Sequence, residues 1–208
     1  MLVTRYVDGA AVGMRFTAPH VLDLAYVDRE GKSPRPVRID FQAGTVSADG
    51  SIVAAGTGAL NNSHAVAGIA AIATNAGADV YAIASASHDT DISAAISSGR
   101  LLQHFTRMGK RPQLQVRLSD DGSTLFTSAT DVLNRCNIAT GKVQKLRCFD
   151  RVTHMAASPR FIAAQNKEGV LTIFDAASNQ RCLTLRIAHD GWLAFDDKCR
   201  FDRSPGFT

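Results

Sequence analysis

The sequence predicts an all-β protein built by repeating one antiparallel unit, and three observations carry that prediction. The first is a unit written twice between Gln113 and Gln180: QLQVRLSDDG, STLFTSATD, VLNRCNIATGK, then VTHMAASP, RFIAAQNKEG, VLTIFDAASNQ. Each copy is three short runs rich in β-branched or aromatic residues, cut by turn residues at matching places, as antiparallel strands require. The second is a pair of ladders. Turns between first and second runs fall at Gly31, Gly77, Gly122, Pro159 and Asp197, and acidic residues open third runs at Asp49, Asp89, Asp131 and Glu168. Both ladders step by about 40 residues, which marks a repeat of one supersecondary unit. The third is composition. The chain has 208 residues, 45% hydrophobic and 20% charged, and all-β domains of about 200 to 250 residues are commonly single. Aromatics make up only 7%, so the core must come largely from Val, Ile, Leu and Ala.

Taken in order, Leu2 to Val7 alternates as a strand does, and Asp8-Gly9 supplies a turn. AVGMRF follows and ends near Pro19, then VLDLAYV (21–27), a polar loop (28–34) and PVRIDFQAG (36–44). Asp49-Gly50 is read as a tight turn into a strand, SIVAA. From Ser51 to Gly99 alanine, serine and glycine dominate, and these are weak strand formers. The three-run rhythm nevertheless continues through AVAGIAAIATNAG, ADVYAIASASHD and TDISAAISSG. RLLQHFT, KVQKLRC and RCLTLRI each follow a third run as a fourth, with AVGMRF in the same role; the second unit has no evident fourth run. DGWLAFDD and KCRFDRSP form a last hairpin.

Four strands at this period are the dimensions of a propeller blade. The expected architecture is therefore a single β-propeller domain over 1–208, of about five four-stranded blades, or a large part of a longer propeller. Its units are placed at 9–50, 51–99, 100–141, 142–179 and 180–208. Residues 1–8 are expected to supply a closing strand beside the hairpin of Trp192 and Phe201, removing two exposed edges. The alternative is completion by sequence outside the chain or by another chain.

The stretches LSDDGSTLFTSATDVLNRCNIATGK and EGVLTIFDAASNQ resemble WD40 repeats: a DG hairpin, an acid opening the next strand, then a TGK-type turn. Phe174-Asp175 stands where that family carries Trp-Asp, and Cys136-Asn137 stands there one unit earlier. His20, His64 and His189 resemble the His of its Gly-His pair, and SASHDTDISAAISSGRLL fits with one residue missing. No Trp-Asp dipeptide occurs, and the one tryptophan, Trp192, lies in a different strand. The resemblance implies a non-catalytic scaffold that holds other proteins of a multi-subunit complex. It also implies that turns between first and second runs share one rim, so the expected partner contacts are Arg29, Lys32, Asp120, Asp121, Arg160 and Lys198.

Other residues bear on nucleic-acid, nucleotide and metal chemistry. Net charge is +4, compatible with an acidic or nucleic-acid partner without requiring one. Arg107, Lys110, Arg111, Lys142, Lys145 and Arg147 gather near Phe105 and Phe149. They read either as a solvated rim or as an RNA-binding surface of a ribonucleoprotein subunit. GTGALN, Gly56 to Asn61, resembles a phosphate loop lacking its third glycine. With a helix over SHAVAGIAAIATNAG it would make a βαβ unit of a nucleotide-binding enzyme. His88-Asp89, His154 and His189-Asp190 read as structural hydrogen-bonding groups, since no G-x-S-x-G elbow accompanies them. Cys136, Cys148, Cys182 and Cys199 form no CxxC pair, so neither a zinc site nor any cofactor is expected. They read as small buried apolar groups in a reducing, intracellular compartment. MLVTRYVDGA is not a signal peptide, and no long apolar span is present.

Overall fold

The computed structural model describes residues 9–28, 33–51, 53, 69–74, 79–85, 91–96, 98–106, 108, 115–119, 121–128, 132–148, 151–188, 191–198 and 200–203. The described chain is all-β, with strands meeting only antiparallel neighbours. Two compact units are formed, one from residues 1–59 with 153–208, the other from 60–152.

The first unit holds two sheets. One is β1 (Gly9–Ala18), β2 (Val21–Asp28), β3 (Arg35–Asp40) and β4 (Thr45–Ser47), in chain order. The other is β13 (Val152–Ala157), β14 (Phe161–Asn166), β15 (Leu171–Asp175), β16 (Arg181–Ala188), β17 (Gly191–Phe195) and β18 (Phe201–Arg203), also in chain order. Met14, Leu22, Leu24, Tyr26 and Ile39 bury against Ala163, Leu171, Ile173, Leu185 and Ile187 in one core. Two buried hydrogen-bonding groups fasten this core. Tyr26 donates its hydroxyl proton to the Ile187 carbonyl at 3.0 Å. Gln165 on β14 accepts from the Ala11 N–H at 3.0 Å and donates to the Ala11 carbonyl at 3.1 Å. Ala11 lies on the outermost strand of its sheet, beside a break in the β1–β2 register. The Gln165 amide thus stands in for a neighbouring strand and satisfies a buried edge.

The second unit holds β5 (Ile69–Thr74), β6 (Val80–Ser85), β7 (Ile92–Ile96) and β8 (Leu101–Phe105) in one sheet. The other sheet is β9 (Gln115–Leu118), β10 (Thr124–Ser128), β11 (Val132–Asn137) and β12 (Val143–Arg147). Val80, Ala82, Ile92 and Ala94 bury with Phe105, Val116, Leu118, Leu125 and Cys136. The described alanine-rich segments Ile69–Thr74, Val80–Ser85 and Ile92–Ile96 are therefore strands: Ala82 and Ala94 pack on a neighbouring sheet that supplies the bulk, so tertiary contact overrides weak propensity. β5 occupies the place of the helix that a βαβ reading needs, and it runs antiparallel to β6.

One local device recurs at the turn from third to fourth strand. Asp40 accepts from the Gln42 and Ala43 N–H groups at 2.8 and 3.0 Å. Asn137 accepts from the Thr140 N–H at 2.8 Å, and Asp175 from the Ala177 and Ser178 N–H groups at 3.0 and 2.7 Å. Four residues beyond each comes a left-handed residue: Gly44 (φ 67°), Gly141 (φ 70°) and Asn179 (φ 59°). A short polar side chain that caps its own turn, then glycine or asparagine at positive φ, is what such a turn demands. In the β7–β8 turn Gly99 (φ 85°) donates to the carbonyl of Ile96, one residue closer, as the shorter sequence there anticipates.

Hydrogen bonding shifts the frame of the units near the chain's beginning. Gly9 is no turn residue but opens β1 opposite Asp28. A Cβ there would fall on the Val27 carbonyl and the Tyr26 ring, so only glycine fits this close approach. AVGMRF is the first strand of its sheet rather than the fourth run of another, and Gly31 consequently falls after a second strand. The fourth strand of that sheet is the three-residue β4, too short to register as a run, and Ser51 and Val53 of SIVAA lie outside any strand. β8, β12 and β16 each pair with the strand before them, so the unit limits at 99/100, 141/142 and 179/180 fall inside hairpins. The last hairpin starts no separate unit: residues 184–188 of β16 pair directly with β17, making one six-stranded sheet. The strand read at Leu2 to Val7 lies outside the described residues.

Candidate interaction site

Turns from both sheets of the first unit meet at one end. Pro19 and His20 link β1 to β2, residues 41–44 link β3 to β4, residues 158–160 link β13 to β14, and residues 176–180 link β15 to β16. Ser158 donates its hydroxyl proton to the Pro19 carbonyl at 2.9 Å, and the Phe41 N–H donates to the His20 carbonyl at 2.9 Å. The Ala176 N–H donates to the Arg160 carbonyl at 2.9 Å. These bonds hold a seam of three phenylalanines. The rings of Phe16 and Phe41 lie 6.2 Å apart at 42°, and those of Phe41 and Phe161 lie 5.1 Å apart at 52°. All three are half-buried against the core. The exposed Arg160 guanidinium stands 5.2 Å over the Phe161 ring, within cation–π range.

Three of the expected partner contacts are described, each in a different environment. Arg160 stands on the seam. Lys198 is exposed in the β17–β18 turn, at the same end of the same sheet, where its N–H donates to Asp196. Asp121 is exposed but turned onto its own loop: it accepts from the Ser119 hydroxyl at 2.6 Å and from the Ser123 N–H at 3.0 Å. The Ser119 bond chiefly holds its carboxyl below the usual range, so it caps a turn. Arg29, Lys32 and Asp120 lie outside the described residues. The turn joining first and second strands of the first sheet is Pro19-His20, so the rule that selected Arg29 and Lys32 selects Pro19 and His20 instead.

Of the basic residues, Lys142, Lys145 and Arg147 are exposed on and beside β12, while Arg107, Lys110 and Arg111 lie outside the described residues. Gly56 to Asn61, His88-Asp89, His189-Asp190 and Cys199 lie outside them too. His154 is half-buried on β13 with Nδ1 3.3 Å from the Thr153 hydroxyl. Cys136 is fully buried, and burial pushes its thiol up to about 12. Cys148 is half-buried and Cys182 is exposed, so the expectation that every thiol is buried fails at Cys182, the second residue of β16. Among the described residues no group of three His, Cys, Asp or Glu side chains could hold a metal ion. No described helix is long and apolar enough to cross a membrane.

Sequence reading missed two features. The phenylalanine seam joins residues far apart in the chain, and its one local signal is that Phe41 and Phe161 directly follow the turn-forming Asp40 and Arg160. The other is Asp23, fully buried within VLDLAYV. Arg38, its direct cross-strand neighbour, grips it through Nε and one terminal nitrogen at 2.8 and 2.9 Å, and the Ser51 N–H donates at 3.1 Å. Burial raises the Asp23 carboxyl, but the Arg38 and Ser51 hydrogen bonds outweigh it and leave it below the ordinary range. An acid placed between two leucines was the available signal. Its partners are used up internally, which makes it a fastening of the first sheet.

No family model and no curated protein matches this chain. Among solved structures, the crystal structure of the computationally designed Ika4 protein is similar over 65% of this chain and 89% of its own, at 17% identity and a TM-score of 0.40.

Proposed function

We propose that the chain is a non-catalytic interaction module that binds another protein through the turn end of its first unit, as a subunit of a larger assembly. The observation that carries this reading is the half-exposed Phe16–Phe41–Phe161 seam with Arg160 laid over it. Phenylalanine and arginine are both among the side chains enriched at protein interfaces, and rings already packed on a core lose little freedom on binding. The partner would present an apolar or aromatic side chain to the rings and a carboxylate to Arg160. Among the neighbouring acids, Asp40 and Asp175 are held low by backbone hydrogen bonds within their own turns, which favours a structural use for them over acid–base chemistry. Affinity capture with wild type and with a Phe41→Ser/Phe161→Ser variant tests the reading. The expected result is a discrete partner lost from the variant, and capture unchanged by the substitutions would refute it.

The recurring third-strand cap at Asp40, Asn137 and Asp175, together with sheets that follow chain order, supports a second element of the proposal: the sheets are blades of a WD40-like propeller. Small-angle scattering from the purified chain tests this. A compact, single-peaked distance distribution is expected, and a long tail from separately moving units would contradict it.

A further inference from the structure

We propose that β12 is a docking edge for an extended acidic segment of another protein, which adds to the β9–β12 sheet as one more strand. β12 ends its sheet. The Asn137 N–H donates to the Lys142 carbonyl at 2.9 Å and so sets the phase of the β11–β12 ladder. Inward bonds then belong to the pairs Arg135/Gln144 and Leu133/Leu146, and the N–H and C=O groups of Val143, Lys145 and Arg147 point off the edge. The side chains of those same three residues are exposed, Val143 by 40%.

Exposed edges are normally blunted by shortness, by a bulge or by charge. The other strands that end a sheet by chain order use the first two. β4 and β18 are three residues long, and β8 is broken by a register shift at Ala94/Ala95. β12 has five residues in unbroken register with β11. Among the described residues charge alone guards it, and that charge has one sign. Lys142, Lys145 and Arg147 form no ion pair with any described residue, and 132–148 contains no Asp or Glu. Lys145 and Arg147 lie on one face beside Val143, opposite Asn134 and Val132. Such an edge repels a second copy of itself and fits a strand carrying carboxylates at alternate positions, with an apolar residue for Val143. Main-chain bonds would supply affinity and the side-chain pattern specificity. This surface is separate from the phenylalanine seam, and its test does not depend on that reading.

The probe is a fluorescein-labelled heptapeptide of alternating Glu and Val, measured by anisotropy at low salt. Two controls accompany it: the same peptide with two central valines replaced by proline, and an oligouridylate of equal charge. Saturable binding of the alternating peptide is expected, weakened about tenfold or more by the prolines and by Lys145→Glu/Arg147→Glu, with the thermal transition of that variant unchanged. Amide exchange on the wild-type chain supplies an independent reading, with slowed exchange at Val143, Lys145 and Arg147 when peptide is present. Equal binding of the proline peptide, binding of the oligouridylate alone, or no protection along β12 would each overturn the proposal.

Discussion

Replacing Gln165 with leucine tests how the first unit is fastened. The side chain is 3% exposed and serves both polar groups of Ala11. Leucine keeps most of its bulk but leaves one buried N–H and one buried carbonyl without partners. Each orphaned group costs about 1–3 kcal/mol, and because the two share one site the expected total is about 3 kcal/mol. That is a large share of the roughly 5–15 kcal/mol that stabilises a domain. Trp192 is the only tryptophan and lies on β17 in the same unit, so its fluorescence follows this unit in a urea titration. With a slope of about 1–3 kcal/mol per molar, the midpoint should fall by about 1–3 M at unchanged slope. Gln165→Glu should do no better, because a carboxylate accepts from the Ala11 N–H yet meets the Ala11 carbonyl with a second acceptor. A leucine variant within about 0.5 kcal/mol of wild type, inside the scatter of ordinary surface changes, would refute this role for Gln165.

Further outcomes follow from the turns, the buried acid and the thiols. Asp23 titrates below its ordinary value of 3.8 in the folded chain. Its anion therefore contributes stability that is fully present above about pH 4 and is lost as pH falls through the folded value. Asp23→Asn weakens hydrogen bonds to a charged group and should cost about 2 kcal/mol at neutral pH and flatten the acid limb of a stability-against-pH curve; an unchanged limb would contradict the pairing. Gly141→Ala must place a side chain at φ 70°, with its Cβ against the Gln103 amide, and should cost about 1–2 kcal/mol by chemical denaturation. In alkylation at neutral pH, Cys182 should react in the folded state and Cys136 only on unfolding; equal rates would show that the Cys136 site opens readily.

What the sequence made legible was local chemistry. An Asp or Asn at the end of a third run, with Gly or Asn four residues on, encodes the turn by itself. The strands around Asn137 and Asp175 could thus be placed without knowing what they touch. The repeat then carried strand assignments through the alanine-rich middle, where propensity alone argues for nothing. Pairing at the chain's beginning was not legible, because β1 chooses β2 through contacts such as Gly9 against Tyr26 rather than through its own residues. The site was legible only in part. Arg160 could be named as a turn residue, but the rings that give it a setting come from Phe16, Phe41 and Phe161, and only folding assembles them. Lys145 and Arg147 were visible as charge, whereas their place on an unbroken sheet edge depends on the pairing of β11 with β12.

The most direct test of the interaction role is site-specific photo-crosslinking inside cells from which the chain is then purified. A photoreactive residue is placed at Phe41 or Phe161, and as a control at Lys167, an exposed residue in the β14–β15 turn at the other end of the same sheet. The expected result is one discrete crosslinked protein from positions 41 and 161 and none from position 167. Identical products from all three positions, or none from the two phenylalanines, would contradict a role for this end of the first unit in binding another protein.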